Sequence, residues 1–208
     1  MGYSAPMALL DWMAEPVGPV VEGAQVILRP PRMADYNDWA DLRDRSRAYL
    51  QRWEPAWPED DLTRAAFRRR LAVYAREMDL GNAWPFFIIR ESDQALLGGV
   101  TLSNVRRGVA ETGTIGYWIG QPYAGKGYAT AAVRAMIRFA FDRLHLHRLE
   151  AACLPANEAS RRVLEKSGFT LEGKARAYLK INGAWRDHLL FGIIDGDADP
   201  RGPSSNGE

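Results

Sequence analysis

The chain predicts a mixed α/β (α+β) domain: helices flank one central, largely antiparallel sheet of about seven strands. Three observations carry this. The elements follow the order β-αα-βββ-α-β-α-ββ, a three-strand meander sits in the middle, and a long amphipathic helix opens directly on a glycine-rich turn.

Taken in order, AQVILRP (24–30) reads as a first strand, apolar and β-branched. Two helical stretches follow, about 34–52 and 62–79, the second with Leu62, Ala66, Val73 and Met78 at helical spacing. The meander is WPFFIIRES (84–92), ALLGGVTLSNV (95–105) and TGTIGYWIG (112–120), with turn signals at Ser92-Asp93 and Gly108. A long helix over 127–144 carries Ala132, Met136, Phe139, Ala140 and Leu144 on one face. After it come a strand HRLEAACL (147–154), a helix from Asn157 to Ser167, and two strands around 169–181 and 184–194. Residues 1–23, with prolines at 6, 16 and 19, read as an N-terminal extension, 24–196 as the domain, and 197–208 as a disordered tail.

Composition narrows the function classes. The 208 residues are 47% apolar, enough for a sizeable core, and the net charge of +1 gives no overall field to attract nucleic acid or anionic membrane. Of the 27 basic residues only Lys126, Lys166, Lys174 and Lys180 are lysines, a bias that suits oxyanion binding and equally suits base composition. The single cysteine, Cys153, excludes an intrachain disulfide framework, and with three scattered histidines it offers no metal site. No apolar run approaches the roughly 20 residues of a membrane span, and the start lacks a basic signal-peptide region, so a cytoplasmic location is expected.

The densest signal is Gln121-Pro-Tyr-Ala-Gly-Lys-Gly-Tyr-Ala-Thr, which puts Gly125 and Gly127 between a strand and a helix. Glycine allows close backbone approach, and a helix start offers free N–H groups at the positive end of the dipole. Such a turn suits a pyrophosphate or is a plain tight turn. It is neither a P-loop, which needs Gly-x4-Gly-Lys-Ser/Thr, nor a dinucleotide fingerprint, whose third glycine is Thr130 here. A second signal, LPANEASRRVLEKSGF (154–169), puts Asn157 where its side chain would cap the following helix, which Gly168 ends.

Together, the meander, the Gly-x-Gly-x-Ala helix start and Asn157-x-x-Ser160 followed by Gly168-Phe169 resemble the GNAT acetyltransferase superfamily over about 24–196. SNVRRG (103–108), IGYWIG (115–120) and INGAWRDHLL (181–190) resemble its Rim-type branch, which acetylates ribosomal-protein N-termini. The resemblance implies the GNAT fold, splayed between the fourth and fifth strands, and acetyl-CoA as cofactor. It implies a cofactor cradle of Tyr123, Ala124, Gly125, Lys126, Gly127, Tyr128 and Ala129, with Asn157 bonding the pantetheine arm and Ser160 facing the same groove. Backbone N–H groups near Trp118 and Ile119 would hold the thioester oxygen. One departure is Pro122, where the family usually has Gln or Arg.

Acetyl transfer needs proton removal from the amine, stabilisation of the oxyanion and protonation of the thiolate. Many relatives use a tyrosine at the position of Leu164 and some a glutamate at that of Thr114; neither residue here can serve. Ser160 is the candidate acid, with Tyr178 as an alternative, and Glu111 the candidate base through water. A strong base is less needed for an α-amine, of pKa about 7.7–8.0, than for lysine at about 10.4, a gap of roughly 3.5 kcal/mol. Ser103, Asn104, Tyr178, Trp185 and Asp187 are candidates for binding the acceptor, Asp187 otherwise pairing with Arg186 or His188. Trp53 and Trp57 line a peptide groove or fill core, and Cys153 lies beside the pantetheine or is a buried small hydrophobe. The expected reaction is acetylation of a protein N-terminus by direct attack, with transient ribosomal-protein contact and neither nucleic acid nor membrane as partner. A small-amine acetyltransferase and a non-catalytic CoA-binding domain are the alternatives.

Overall fold

The computed structural model describes residues 18–197, so the expectations for 1–17 and for 198–208 lie outside the described residues. The sheet has eight strands in the order β1-β2-β3-β4-β5-β6-β8-β7. The extra strand arises because the first segment folds back on itself. β1 (Val21–Gly23) pairs antiparallel with β2 (Val26–Arg29) across Ala24 and Gln25, Gln25 taking φ 64°, so residues 21–23 belong to the sheet.

The first helical stretch is broken. A 3-10 turn (Met33–Asp35) leads into α1 (Tyr36–Arg45), and α2 (Arg47–Leu50) follows after Ser46. Ser46 is fully buried and its Oγ accepts the Gln121 N–H at 2.9 Å, so the break ties this helix pair to the glycine-rich turn. α3 (Arg64–Asp79) starts on Thr63, whose side chain accepts from the Ala66 amide.

β3 (Trp84–Arg90), apolar on both faces, lies mid-sheet between β2 and β4 (Leu96–Arg106) and is buried on both sides. β5 (Thr112–Ile119) completes the meander. α4 (Tyr128–Arg138) gives way to a π turn over Phe139–Arg143 instead of running regularly to 144. The wider turn lets Phe139, Ala140 and Phe141 all be buried, which a regular helix would spread around its circumference. β6 (Arg148–Cys153), α5 (Glu158–Lys166), β7 (Thr170–Ile181) and β8 (Ala184–Ile194) complete the chain.

Each face of the sheet carries a core. Leu97, Val100, Ile115, Leu149, Phe191 and Ile193 pack beneath α4 on one face. Trp39, Leu42, Phe67, Phe87 and Ile89 pack beneath α1 and α3 on the other. Every pairing is antiparallel except β5 with β6, which is limited to Thr112↔Arg148, Gly113↔Leu149 and Thr114↔Glu150. Beyond those pairs the two strands diverge, at the fourth and fifth strands of the sequence-based reading. The wedge they leave opens is the cleft described next.

Candidate active site

A cleft of about 780 Å3 fills this wedge. One wall is the end of β5, at Tyr117, Trp118 and Ile119, continued by the turn into α4; the other is β6 at Ala152 and Cys153 with the first turns of α5. Gly125 (φ 74°) and Gly127 (φ 86°) are left-handed, a region costly for residues with a Cβ. Both glycines line the cleft at the start of α4. The Ala131 N–H is the one that closes the first helical turn, on Gly127 O at 3.0 Å, leaving the preceding amides free of backbone partners among the described residues. Free amides at a helix N-terminus, with room beside them, fit a pyrophosphate. The residues present therefore fit coenzyme A: its diphosphate at this turn, its pantetheine arm along the wedge.

Of the expected cofactor residues, Trp118, Ile119, Tyr123, Ala124, Gly125, Gly127, Tyr128, Ala129, Asn157 and Ser160 all line the cleft. Lys126 does not line it; its ammonium lies 6.0 Å from the centre of the Tyr123 ring. Asn157 caps α5 as expected, its Oδ1 accepting the Ser160 N–H at 3.1 Å. Cys153 combines both of its readings: it is 5% exposed and lines the cleft, and burial pushes its thiol up from the ordinary range.

The hydroxyl of Ser160 lies 2.8 Å from that of Tyr117, which also donates to the Ser160 carbonyl at 3.1 Å. Burial raises the Tyr117 phenol well above its ordinary value, so it stays protonated. Tyr117 was visible in the Gly-Tyr-Trp motif, but alternation alone did not say that it faces α5. Leu164, where many relatives carry a tyrosine, is fully buried.

The residues expected to bind the acceptor do not gather at the cleft. The Ser103 hydroxyl lies 3.4 Å from the Thr114 carbonyl, in the part of the sheet where β5 and β6 are still paired, and Asn104 follows it at φ 51°. Glu111 is at the same closed end. Its carbonyl accepts the His147 and Arg148 amides, and its carboxylate pairs with Arg107 at 3.1 Å. It precedes Tyr117 by six residues of mostly extended chain, roughly 20 Å at 3.3 Å per residue, too far for one bridging water. Trp185 is 65% exposed on the β7–β8 hairpin.

Asp187 takes a partner other than Arg186 or His188. It accepts the Ala177 N–H at 3.0 Å and pairs with Lys174 at 2.8 Å, which holds a bulge in β7 where Ala177 has φ 45°. Tyr178 sits on that bulge, 47% exposed, with its ring 5.8 Å from that of His188, and it does not line the cleft. Instead the next three residues do: Leu179, Lys180 and Ile181 form one lip with His188, facing Tyr49, Leu50 and Trp53 on the other. The Asn182 N–H donates to the Glu54 carbonyl at 3.1 Å, so the hairpin turn is fastened to the α2–α3 segment across this end.

That segment is itself braced by buried charge. Arg43 binds Glu54 through two bonds of 2.9 Å, its guanidinium stacks 4.0 Å above the Trp57 ring, and the Trp57 indole N–H donates to Glu54 at 2.7 Å. Trp53 lines the cleft, whereas Trp57 lines a neighbouring cavity of about 440 Å3 that meets the cleft at Tyr117 and Trp118. Sequence gave no sign of these contacts, which join positions with no shared periodicity.

Comparisons with known proteins agree with this architecture. The family model "Acetyltransferase (GNAT) domain" matches residues 25–170. The Bacillus subtilis protein named "Probable N-acetyltransferase YjcK" is 35% identical over 178 residues, 86% of this chain and 98% of its own. The [Ribosomal protein uS5]-alanine N-acetyltransferase of Escherichia coli is 34% identical over 168 residues, 80% of this chain and 87% of its own. The structure of Mycobacterium smegmatis RimJ in complex with CoA-disulfide superposes with a TM-score of 0.82 at 33% identity, covering 87% of this chain and 90% of that one. With its splayed sheet, its glycine-rich turn at α4 and this match over most of its length, the chain belongs to the GNAT acetyltransferase family and uses acetyl-CoA.

Proposed function

We propose that this acetyltransferase modifies the N-terminal α-amine of a protein, with an alanine-first ribosomal protein as the substrate class. One observation carries the choice of amine. Glu54 is the only carboxylate among the residues lining the cleft, and both its oxygens are engaged by Arg43. A site with no free carboxylate suits an amine that gives up its proton readily, and an α-amine does so about 3.5 kcal/mol more easily than lysine. The relative that acetylates the alanine of ribosomal protein uS5 supports the same class.

When bound, acetyl-CoA supplies an activated acyl group. The amides of the α4 turn would hold its diphosphate, and Asn157, capping α5 through Oδ1, would offer its Nδ2 donors to the pantetheine arm. The Trp118–Ile119 backbone, beyond the point where β5 and β6 part, would polarise the acyl oxygen. Ser160 would give a proton to the departing sulfur and be resupplied by Tyr117, whose buried phenol stays protonated. Trp53, Leu50 and the Leu179–Ile181 lip enclose the other end, where a peptide terminus enters.

The test is thiol release from acetyl-CoA with peptides bearing free Ala, Ser or Met N-termini, the same peptides N-blocked but containing lysine, and polyamines or aminoglycosides. Release with free N-termini alone is expected. Release only with blocked lysine peptides or small amines overturns the reading.

A further inference from the structure

The α-amine reading leaves one chemical role unfilled, the acceptance of the proton that the amine must lose. We propose that His188 accepts it at Nε2, as a catalytic base on the acceptor side of the cleft. Along β8, Leu189, Phe191 and Ile193 turn toward the core beneath α4, so His188 projects from the opposite face of the sheet. Trp118 on β5 packs with the core of that same face, which puts imidazole and indole on one side of the wedge. Both line the cleft.

The tautomer follows from the hydrogen bonding. Nδ1 lies 3.0 Å from the Arg186 carbonyl oxygen, which can only accept, so in the neutral ring the proton sits on Nδ1 and the lone pair on Nε2. No group among the described residues bonds Nε2. The ring is held by that bond and by the edge-on ring of Tyr178 at 5.8 Å, and it is 3% exposed, so it is oriented before any acceptor arrives. The other titratable groups lining this end are Glu54, occupied by Arg43, together with Tyr49, Lys180 and Cys153, the last opposite Leu189 on β6. Asp187 turns away to Lys174. In the step, Nε2 takes the proton that holds the amine as an ammonium, which frees the nitrogen lone pair to form the C–N bond to the acyl carbon. The C–S bond breaks with its electrons going to sulfur, which takes its proton from Ser160; the second proton the nitrogen loses as the amide forms passes through water to replace it, and the imidazolium returns its own proton to water.

The inference rests on the α-amine reading, and the experiment separates the two. Wild-type enzyme is first assayed on a free-N-terminal peptide; if only another amine reacts, that reading fails and the same comparison is run on the amine that does. His188→Asn keeps a donor for the Arg186 carbonyl and removes Nε2. Its kcat is expected to fall on the order of 100-fold at pH 7, with acetyl-CoA affinity and Tm unchanged. The deficit should shrink to below about 10-fold near pH 9.5, where an α-amine of pKa about 8 is already neutral. As a readout independent of turnover, 15N-histidine spectra should show a His188 lone-pair nitrogen that shifts when peptide joins CoA, and does not shift with the N-acetylated peptide. Unchanged kcat at pH 7, a deficit equal at both pH values, or a His188 protonated at Nε2 would each overturn the assignment.

Discussion

The hydroxyls of Tyr117 and Ser160 lie 2.8 Å apart, joining the end of β5 to the first turn of α5 across the cleft. Forty-three residues separate them in the chain, and only the divergence of β5 from β6 brings them together. If they pass a proton to the leaving sulfur, Ser160→Ala lowers kcat by roughly 100-fold with little change in KM for acetyl-CoA. Tyr117→Phe, which leaves Ser160 in place, lowers it less. Steady-state kinetics with both variants check this, and equal kcat for wild type and Ser160→Ala would remove the serine from the chemistry.

Asn157 caps α5 and lines the cleft, and one substitution separates the cap from the proposed cofactor contact. Asn157→Asp retains an oxygen for the Ser160 amide but has no amide donor. Tm is expected to hold while the Kd for acetyl-CoA rises about tenfold, one neutral hydrogen bond being worth about 1 kcal/mol. Asn157→Ala should lose the cap as well, about 1 kcal/mol of stability. Calorimetric titration and thermal melting of the pair decide between a cap alone and a cap that also binds.

Gly127 sits at φ 86° with open space where a Cβ would stand. Gly127→Ala therefore meets no clash, and its cost is conformational, about 1–2 kcal/mol. Relief of that strain would turn the free amides away from the diphosphate. A weakened acetyl-CoA affinity with an intact far-ultraviolet spectrum is the expected outcome, measured by titration and circular dichroism.

Burial raises the Cys153 thiol, so its thiolate is scarcer at pH 7.5 than that of an exposed cysteine. Alkylation by iodoacetamide should be slow at that pH, accelerate above pH 9, and slow again on adding CoA, because Cys153 lines the cleft. The same shift has a sign for stability. A thiol or phenol that ionises later in the folded than in the unfolded chain stabilises below its ordinary pKa, and that contribution is lost as pH rises. Cys153 and Tyr117 both act in this direction, so chemical denaturation should show stability declining through the alkaline range, less steeply in Tyr117→Phe.

Arg43 is 7% exposed and depends on Glu54. Glu54→Ala leaves a buried cation poorly paired, since Asp61 is 4.0 Å away and already engaged by Arg70. A loss of about 3 kcal/mol is expected, a fall in Tm of roughly 10 °C. It should be accompanied by a raised KM for the peptide, because the α2–α3 segment forms the lip fastened to Asn182.

By itself the sequence determined most of the framework, because local rules govern it. The apolar runs over 84–120 called for a meander of strands, the Gly125-Lys-Gly127 turn before an amphipathic stretch marked a helix start suited to an anion, and Asn157 could be placed as a cap from its position alone. Such signals depend on neighbours within a turn or two of chain. The misplaced details are also local: the Ala24–Gln25 reversal lacks the Asn-Gly or Gly-x pair of the usual two-residue hairpin, and the break at Ser46 is set by a bond to Gln121, 75 residues away. The end of the cleft proposed for the acceptor was legible only in the tertiary structure. Ser103, Asn104 and Glu111 carry suitable chemistry but fall where β5 and β6 are still hydrogen-bonded and no cleft exists. Tyr178 and Asp187 were drawn into the β7 bulge instead. His188, Tyr117 and Glu54 gained their positions because two parallel strands part after three residue pairs, and a hairpin, a helix start and a loop close around the gap. Side-chain chemistry is written in the chain, but which groups share one cavity is decided by long-range packing, and that has no local period to read.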